Sequence, residues 1–417
     1  MTYIEFFEKD VLENLCTCLA AAPDKVILIG DNNKLMKKHK KRYERLLLAR
    51  REVVEFETVS VDKNNIQSIL GVLEEIVNRE PECAFDITGG EDVYLVAMGI
   101  IFERYRNQKN IQMHHFNIRN NTVFDCDMDG RLVTQGNVPH IGVEELVYAY
   151  GGEVVFEEEY RNGTREWDWS DVFCDAVDVM WDICKRDVHL WNSQIDMLGE
   201  LEVFHSDSED ELTTSVPMTN LLKYLEGMEK KLYINKELLS DLWRAGLITQ
   251  LKYDDEELTV SYRDAQVKRC LTKAGQILEL AVCAAARNAE ETDGTVTYDD
   301  VMTGVTIDWD GEYGGPGETV DTANEIDVIM TRGLVPVFVS CKNGAVDSGE
   351  LYKLNTVAGR FGGKYAKKAL IATALNPELP ASQYFIQRAE EMNIRVITNF
   401  QDLDSNGVNK LMRSLCR

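Results

Sequence analysis

The first third of the chain alternates short apolar segments with longer segments that have helical spacing. Strands are predicted where apolar residues run together or alternate, at residues 26–30, 53–61, 84–88 and 112–118. Helices are predicted between them, at residues 34–51, 66–77 and 93–105. Because strands and helices alternate along the chain, this part is predicted to be α/β, with a parallel, doubly wound sheet.

The pattern changes after residue 150. Residues 221–232 and 236–245 have helical spacing, and residues 252–262 alternate like a hairpin. Two helices followed by a hairpin is the order of elements in a winged helix. We therefore expect a helical, winged-helix-like segment over residues 151–270.

The α/β pattern returns after residue 270. A helix is predicted over residues 271–288, and two strands are predicted at residues 325–330 and 334–342, around the turn Thr331-Arg332-Gly333. Further helices and strands follow. The chain is therefore expected to have three parts, at residues 1–150, 151–270 and 271–417.

The amino-acid composition excludes several classes of protein. Of the 417 residues, 44% are hydrophobic and 28% are charged, which excludes a largely disordered chain. No apolar run has the roughly 18–20 residues of a membrane helix, and the N-terminus lacks the basic and then apolar segments of a signal peptide. The ten cysteines form no paired CxxC frame. We expect a cytoplasmic protein whose thiols stay reduced.

The net charge of −26 argues against a protein that coats nucleic acid through phosphate neutralisation. The charge is unevenly distributed, however. Residues 34–51 contain nine basic residues and one acidic residue, and residues 342–417 contain 11 and 7. Residues 151–270 contain 13 basic and 27 acidic residues. The two ends are therefore the parts expected to contact phosphates.

A candidate catalytic centre lies on the two predicted strands near the C-terminus. Side chains alternate between the faces of a strand, so Glu325 and Asp327 share one face, and Ser340 and Lys342 share a face of the next strand. A tight turn near Gly333 brings Asp327 across from Ser340, so that an acid and a lysine lie at one edge of the hairpin. Carboxylates there can bind a divalent ion that activates water, while the lysine orients that water or stabilises phosphate charge. The alternative is a surface hairpin whose charges only pair with each other.

A candidate ligand pocket is predicted near the N-terminus. The strand at residues 84–88 ends in Thr88-Gly89-Gly90, and the next helix opens with Glu91-Asp92. Glycines let the backbone approach a ligand, and a helix N-terminus favours phosphate. An earlier strand ends similarly in Gly30-Asp31-Asn32. In an open α/β sheet both turns lie at the C-terminal ends of the strands, where ligands bind.

The C-terminal part resembles the PD-(D/E)xK nucleases, on Asn324-Glu325-Ile326-Asp327-Val328 and Ser340-Cys341-Lys342. The resemblance implies a restriction-endonuclease-like domain and phosphodiester cleavage that depends on Mn²⁺ or Mg²⁺. It implies that Glu279, in the preceding helix, faces the metal, with Glu279, Asp327 and Cys341 as ligands. Ser340 stands where the family has its second acid, and Glu325 is the candidate to replace it.

The N-terminal part resembles the CARF domain, a Rossmann-like sensor of cyclic oligoadenylates in type III CRISPR systems, on its T-G-G turn at Thr88-Gly89-Gly90. The order of CARF domain, winged-helix-like segment and nuclease is similar to that of the CRISPR ancillary nucleases of the Card/Can group, over nearly the whole chain. That resemblance implies a homodimer with cyclic tetra-adenylate as allosteric activator. It also implies a nucleic-acid substrate, DNA or RNA, which we expect to be single-stranded.

Two other functions are compatible with a CARF domain. One is a ligand-responsive transcription regulator, which requires a basic recognition helix that the acidic middle segment does not offer. The other is a ring nuclease that degrades its cyclic oligoadenylate in the CARF pocket. His39 is the candidate catalytic group there, and the competing interpretation is that His39 is a solvated surface residue of a basic helix.

Overall fold

The computed structural model describes residues 1–8, 10–21, 23–49, 54–119, 121–126, 132–135, 140–158, 162–205, 211–311 and 323–417. These residues form three β-sheets with helices packed around them. Residues 50 and 51, at the end of the predicted basic helix, lie outside the described residues. Within the described ranges, no helix combines the length and the apolar character that a membrane span requires.

The first sheet has seven strands in the order β3-β2-β1-β4-β5-β6-β7. Its strands are β1 (Thr2–Phe6), β2 (Lys25–Gly30), β3 (Glu55–Ser60), β4 (Glu82–Asp86), β5 (Asn110–Asn117), β6 (Thr122–Cys126) and β7 (Leu132–Gln135). The accompanying helices are α1 (Val11–Ala21), α2 (Asn33–Ala49), α3 (Ile66–Arg79), α4 (Asp92–Tyr105) and α5 (Val143–Tyr150). Strands β1 to β5 pair in parallel and β5, β6 and β7 are antiparallel, so the predicted doubly wound sheet has an antiparallel edge.

Strand β1 lies at the centre of this sheet, although the sequence pattern does not predict it. Its apolar run is interrupted by Glu5, which is 1% exposed. The hydroxyl of Thr17 lies 3.0 Å from Glu5 Oε1 and 2.6 Å from Asp86 Oδ2, so the buried acids share a polar neighbour. Burial raises the pKa of Glu5 well above its usual range. Burial thus favours the neutral form of Glu5, which allows β1 to occupy the core like an apolar strand.

After α5 the chain crosses to another sheet before it builds the middle segment. The short strand β8 (Glu153–Val154) pairs antiparallel with Ile307 and Asp308, more than a hundred residues later. We expected residues 151–270 to belong to the middle segment. Strand β8 lies in that range, but it forms the edge strand of the third sheet.

The second sheet belongs to the middle segment. Helices α6 (Asp171–Cys184) and α7 (Val188–Leu201) precede β9 (Thr213–Pro217), α8 (Met218–Gly227), α9 (Lys236–Arg244), β10 (Ile248–Tyr253) and β11 (Glu257–Tyr262). The strand order is β10-β11-β9. The predicted two helices and hairpin are present, and β9 adds a third strand. The helices share one apolar core around the fully buried Trp191.

The third sheet has six strands in the order β16-β15-β14-β13-β12-β8. Its remaining strands are β12 (Asp300–Asp308), β13 (Ala323–Arg332), β14 (Val335–Lys342), β15 (Lys367–Ala372) and β16 (Ile394–Ile397). The helices are α10 (Ala265–Cys270), α11 (Gln276–Arg287), α12 (Ser348–Phe361), α13 (Pro380–Glu391) and α14 (Ser405–Leu415). The predicted helix over residues 271–288 begins at Gln276, because Gly275 adopts a left-handed φ of 88° and separates α10 from α11.

Candidate active site and ligand pocket

The hairpin of β13 and β14 brings Asp327 and Ser340 together. The two strands pair from Arg332 opposite Val335 as far as Val328 opposite Val339. At the end of this pairing, Asp327 Oδ2 accepts hydrogen bonds from the backbone N–H of Cys341 at 2.6 Å and from Ser340 Oγ at 3.1 Å. The Asp327 carboxylate is therefore held in one orientation, next to the point where the pairing of β13 with β14 ends.

Lys342 reaches the same carboxylate. Its Nζ lies 3.9 Å from Asp327 Oδ2 and 3.1 Å from Glu350 Oε2. Burial lowers the pKa of Lys342, but Asp327 and Glu350 outweigh it and raise the pKa, so the ammonium group is charged. The sequence analysis did not identify Glu350. The feature that could have identified Glu350 is its place in the first turn of α12, the helix that follows β14.

Glu279 lies in the first turn of α11, and its Oε2 accepts a hydrogen bond from Gln276 Nε2 at 2.9 Å. Burial raises the pKa of Glu279 to about 8, and the carboxylate of Asp327 contributes to the rise. Burial also raises the pKa of Asp327, although Lys342 acts in the opposite direction. Glu279, Asp327 and Lys342 thus influence each other electrostatically, as catalytic groups commonly do.

Two other predicted residues differ in how they approach this cluster. The side chain of Glu325 is 44% exposed, and its Oε1 lies 3.8 Å from Lys273 Nζ. It is close enough to Glu279 to raise the pKa of that carboxyl. Ser340 is buried and its hydroxyl donates to Asp327. Glu325 can therefore add a carboxylate from the solvent side, whereas Ser340 orients the central acid.

The structure does not bring the thiol of Cys341 into the site. Alternation along β14 directs its side chain away from Ser340 and Lys342, into an apolar core with Val339 and Cys283. Burial raises the pKa of the Cys341 thiol well above its usual range. Because the thiolate is the form that binds metals, the predicted ligand role does not fit this side chain. Its backbone N–H serves Asp327 instead.

The remaining donors fit a hard divalent cation. Among the residues that the structure describes, no three His, Cys, Asp or Glu side chains converge as a metal cage. Glu279 and Asp327 supply two carboxylates, and Mg²⁺ is commonly bound by one or two carboxylates together with waters and phosphate oxygens. The raised pKa values of both acids mean that burial outweighs the positive charge of Lys342. A divalent ion would stabilise their charged forms.

The end of β14 is anchored to the middle segment. Asn343 Nδ2 donates to Asn192 Oδ1 at 3.0 Å, and Asn192 Nδ2 donates to the carbonyl of Asn343. Asn192 lies on α7. The residue next to Lys342 is therefore fixed by a helix outside the third sheet, so the position of the lysine depends on how the middle segment packs.

At the other end of the chain, Thr88 holds the predicted glycine turn in place. Its backbone N–H donates to Asp86 Oδ1 at 2.8 Å, and its Oγ accepts from the backbone N–H of Phe116 at 2.9 Å. Gly90 then adopts a φ of 122°, which L side chains rarely adopt. The turn is thus tied to both β4 and β5.

Gly89 has no room for a Cβ, and a Cβ on Gly30 would be tightly packed. A Cβ on Gly89 would lie 2.9 Å from Glu13 Cβ and 3.0 Å from Glu8 Cγ. A Cβ on Gly30 would lie 3.2 Å from Phe7 Cβ. Both turns therefore pack closely against the segment that follows β1, at the C-terminal edge of the first sheet.

Lys63 joins the two predicted ligand turns, and the sequence analysis did not identify it. Its Nζ lies 3.3 Å from Asp31 Oδ2 and 3.1 Å from Glu91 Oε1. Asn32 Oδ1 accepts from the N–H of Leu35 and so caps the start of α2, and Asp92 occupies the first turn of α4. Asp31 and Glu91 thus share one lysine, in the loop that follows β3, and their negative charge is only partly neutralised.

His39 is buried, which corrects the interpretation of it as a solvated surface residue. Its ring makes an edge-on contact with Phe7, with 5.0 Å between centroids, and its Nδ1 lies 3.4 Å from the hydroxyl of Tyr43. Burial lowers the pKa of His39 to about 4, with Arg42 contributing, so the imidazole is neutral. The basic helix buries His39 because it packs this face against the sheet.

Glu13 connects the glycine turn to the third sheet. It lies beside Gly89, and its Oε1 accepts a hydrogen bond from the hydroxyl of Tyr365 at 2.7 Å. Lys364 forms an ion pair with the same carboxylate, and the backbone N–H of Lys364 donates to Asp10 Oδ2 at 3.1 Å. The segment between α12 and β15 therefore rests directly on the start of α1.

Two solved structures share this fold from end to end. Protein VC1899 from Vibrio cholerae matches with a TM-score of 0.72 and 17% sequence identity, over 99% of this chain and 97% of that chain. Can2 from Sulfobacillus thermosulfidooxidans, solved in complex with cyclic tetra-adenylate, matches with a TM-score of 0.64 and 15% identity, over 100% of this chain and 99% of that chain. The predicted α/β fold is therefore confirmed. No family model matches the sequence, and no curated protein matches it.

Proposed function

We propose that this protein is a metal-dependent nuclease of the Card/Can group, activated by a cyclic oligoadenylate and acting in type III CRISPR defence in the cytoplasm. The observation that carries the proposal is the cluster of Glu279, Asp327 and Lys342 where the pairing of β13 with β14 ends, in a chain with the fold of Can2. We assign the sensor to residues 1–150, the winged-helix-like segment to 151–270 and the PD-(D/E)xK nuclease to 271–417, with β8 as an added edge strand of the nuclease sheet.

The chain's own residues have separate tasks in strand cleavage. A bound Mn²⁺ or Mg²⁺ would polarise the phosphoryl group and lower the pKa of a water. Asp327, fixed by the N–H of Cys341, and Glu279, positioned by Gln276, would hold it. The ammonium group of Lys342, paired with Glu350, is available to stabilise the negative charge that develops on the phosphate.

Substituting Glu325 by glutamine should reduce cleavage more than substituting Ser340 by alanine. Glu325 would supply the carboxylate that the family places at Ser340, whereas Ser340 only donates a hydrogen bond to Asp327. We expect at least about a 10-fold loss for Glu325→Gln and a smaller loss for Ser340→Ala. A metal titration of cleavage measures both, and the reverse ranking would mean that the ligands are assigned wrongly.

Cyclic tetra-adenylate is the proposed activator, bound at the turns Thr88-Gly89-Gly90 and Gly30-Asp31-Asn32. Both glycines pack closely against neighbouring side chains, and Lys63 pairs with an acid in each turn and so links the two turns. The same compound is bound to Can2, which has this fold. A phosphate of the ring would meet the N-terminus of α4, where anions are favoured.

A homodimer is part of the proposal. On α4, directly after the glycine turn, Val93, Val96 and Ile100 are 41%, 54% and 38% exposed and share one face of the helix. A second copy would cover this apolar face. A ring-shaped ligand could then lie across the two-fold axis and contact both copies of the turn.

The proposed function is tested by incubating the purified protein with labelled single-stranded DNA and RNA. The reactions contain Mn²⁺ or Mg²⁺, with and without cyclic tetra-adenylate, and EDTA serves as the control. We expect cleavage only when metal and activator are both present. Equal cleavage without activator would contradict the switch, and loss of cyclic tetra-adenylate without strand cleavage would favour the ring nuclease.

A further inference from the structure

A strongly basic cleft lies between the first and third sheets. It consists of two adjoining cavities of about 730 and 570 Å³, which share the lining residues Arg119, Lys364, Ala366, Lys367 and Arg417. The cations that line the basic cleft are Arg119, Arg332, Lys364, Lys367, Lys368, Arg395 and Arg417. Among the described residues that line it, Asp299 is the one acid. This concentration of positive charge stands out in a chain with a net charge of −26.

Four of these cations have no carboxylate partner among the described residues. The side chains of Arg119 and Lys367 have neither an ion pair nor a hydrogen bond there. Lys368 Nζ donates to two neutral oxygens, Asn355 Oδ1 at 2.7 Å and the carbonyl of Met392 at 2.6 Å. Arg395 donates to the neutral hydroxyl of Ser414. Their charge is therefore available to a ligand.

The arginines at the other side of the cleft are only partly neutralised. Arg332, Arg413 and Arg417 all converge on Glu291, at 3.1, 3.2 and 3.0 Å. One carboxylate thus faces three guanidinium groups, and a surplus of positive charge remains. The cluster is also fixed in position, because Glu291 is a shared partner.

The basic cleft is separate from the catalytic centre. Val335, the first residue of β14, lines the cleft, and Lys342 is the last residue of the same strand. A strand of this length spans about 23 Å at about 3.3 Å per residue. The cleft therefore lies at the opposite end of β14 from Lys342.

We propose that the basic cleft binds a nucleic-acid strand through its phosphates, as a second contact site for the substrate of the nuclease. The two cavities adjoin and form an extended groove, which matches a ligand with repeated negative charges. Proteins that bind a single strand commonly use cations along a groove to contact its phosphates. Tyr365 adds an aromatic side chain to the lining. The inference rests on the proposed function in that the bound strand is the one cut at Asp327.

The test compares the double variant Arg119→Glu/Lys367→Glu with the wild type. Fluorescence anisotropy with a labelled single-stranded oligonucleotide, in EDTA and at several salt concentrations, measures binding without cleavage. We expect at least about a 10-fold weaker affinity, and a slope of log K against log salt that is smaller by about 1.4, the value for two lost phosphate contacts. Lys223→Glu/Lys231→Glu, the same charge change on the middle segment, should bind like the wild type.

Further measurements distinguish the possible outcomes. Cleavage by the wild type is measured separately, with metal and activator present. A wild type that binds the oligonucleotide but does not cleave it would count against the nuclease function and not against the cleft. If charge reversal impairs folding, the neutral variant Arg119→Gln/Lys367→Gln is measured instead. Unchanged affinity and salt slope would overturn the proposal. So would a loss of cyclic tetra-adenylate binding, or of self-association in light scattering, with strand binding intact.

Discussion

Replacing Lys342 by alanine is expected to lower the rate of activated cleavage by at least about 100-fold, with the fold intact. Its ammonium group lies 3.9 Å from Asp327 and 3.1 Å from Glu350, at the end of β14, where a phosphate would bind. Without it, the charge that develops on the phosphate loses its stabilising partner, and the buried Asp327 loses the cation 3.9 Å away. Single-turnover cleavage of a labelled strand, at saturating metal and activator, measures the loss.

The matched control is Lys410→Ala, because Lys410 is an exposed lysine on α14 in the same part of the chain. It should cleave like the wild type. Asp327→Ala should lose activity with Lys342→Ala, since Asp327 is the expected metal ligand. Near-wild-type cleavage by either variant would show that the catalytic centre lies elsewhere.

The second large effect is expected at the glycine turn, where Gly89→Val should abolish both cyclic tetra-adenylate binding and activation. A Cβ at this position would lie 2.9 Å from Glu13 and 3.0 Å from Glu8, so valine must push the turn outward into the space of the ligand. Calorimetry with cyclic tetra-adenylate and a cleavage assay on the same preparation measure the two losses. Metal binding and dimerisation should be unchanged.

Gly71→Val is the control for this substitution. Gly71 lies on α3, and a Cβ there would meet no atom within 4 Å, so binding and activation should persist. A Gly89→Val protein that no longer binds the activator but still responds to it would place the switch outside the first sheet. A wild type that cleaves equally well without activator would remove the switch altogether.

Glu13 offers a physical route for such a switch. Its carboxylate touches the glycine turn on one side and holds Lys364 and Tyr365 of the third sheet's helix-to-strand connection on the other. A phosphate arriving at Gly89 would repel this carboxylate. Activation follows only if the ligand binds the arrangement with the displaced Glu13 more tightly than the resting one.

The sequence could predict elements whose apolar pattern is regular, and it failed where polar residues are buried. The sequence pattern did not predict β1 because Glu5 interrupts its apolar run. Burial and the nearby Asp86 raise the pKa of that carboxyl, although Thr17 acts in the opposite direction. His39 was misjudged for a related reason. It stands among lysines in sequence, but the turn of the helix directs it inward against Phe7. Burial of a single polar side chain depends on neighbours from distant segments, which periodicity does not reveal.

The candidate site also contains residues that the sequence could place and residues that it could not. Asp327, Ser340 and Lys342 lie on adjacent strands of one hairpin, so alternation and a tight turn were enough to bring them together. Glu350 and Lys63 come from separate elements, and their contacts depend on how a helix or a loop packs. Cys341 was assigned by its place in a motif, whereas its position on the strand already directs its thiol to the core.

The pairing of β8 with β12 has a consequence for how the chain acquires its structure. Glu153 and Val154 leave the ribosome long before Ile307 and Asp308, and the whole middle segment is synthesised in between. Such distant pairing is slow, because a long loop must close before the contact forms. A fragment that starts at residue 271 would also expose the unpaired edge of β12 and invite edge-to-edge aggregation. Recombinant work on the third sheet should therefore keep residues 153–154 on the same polypeptide.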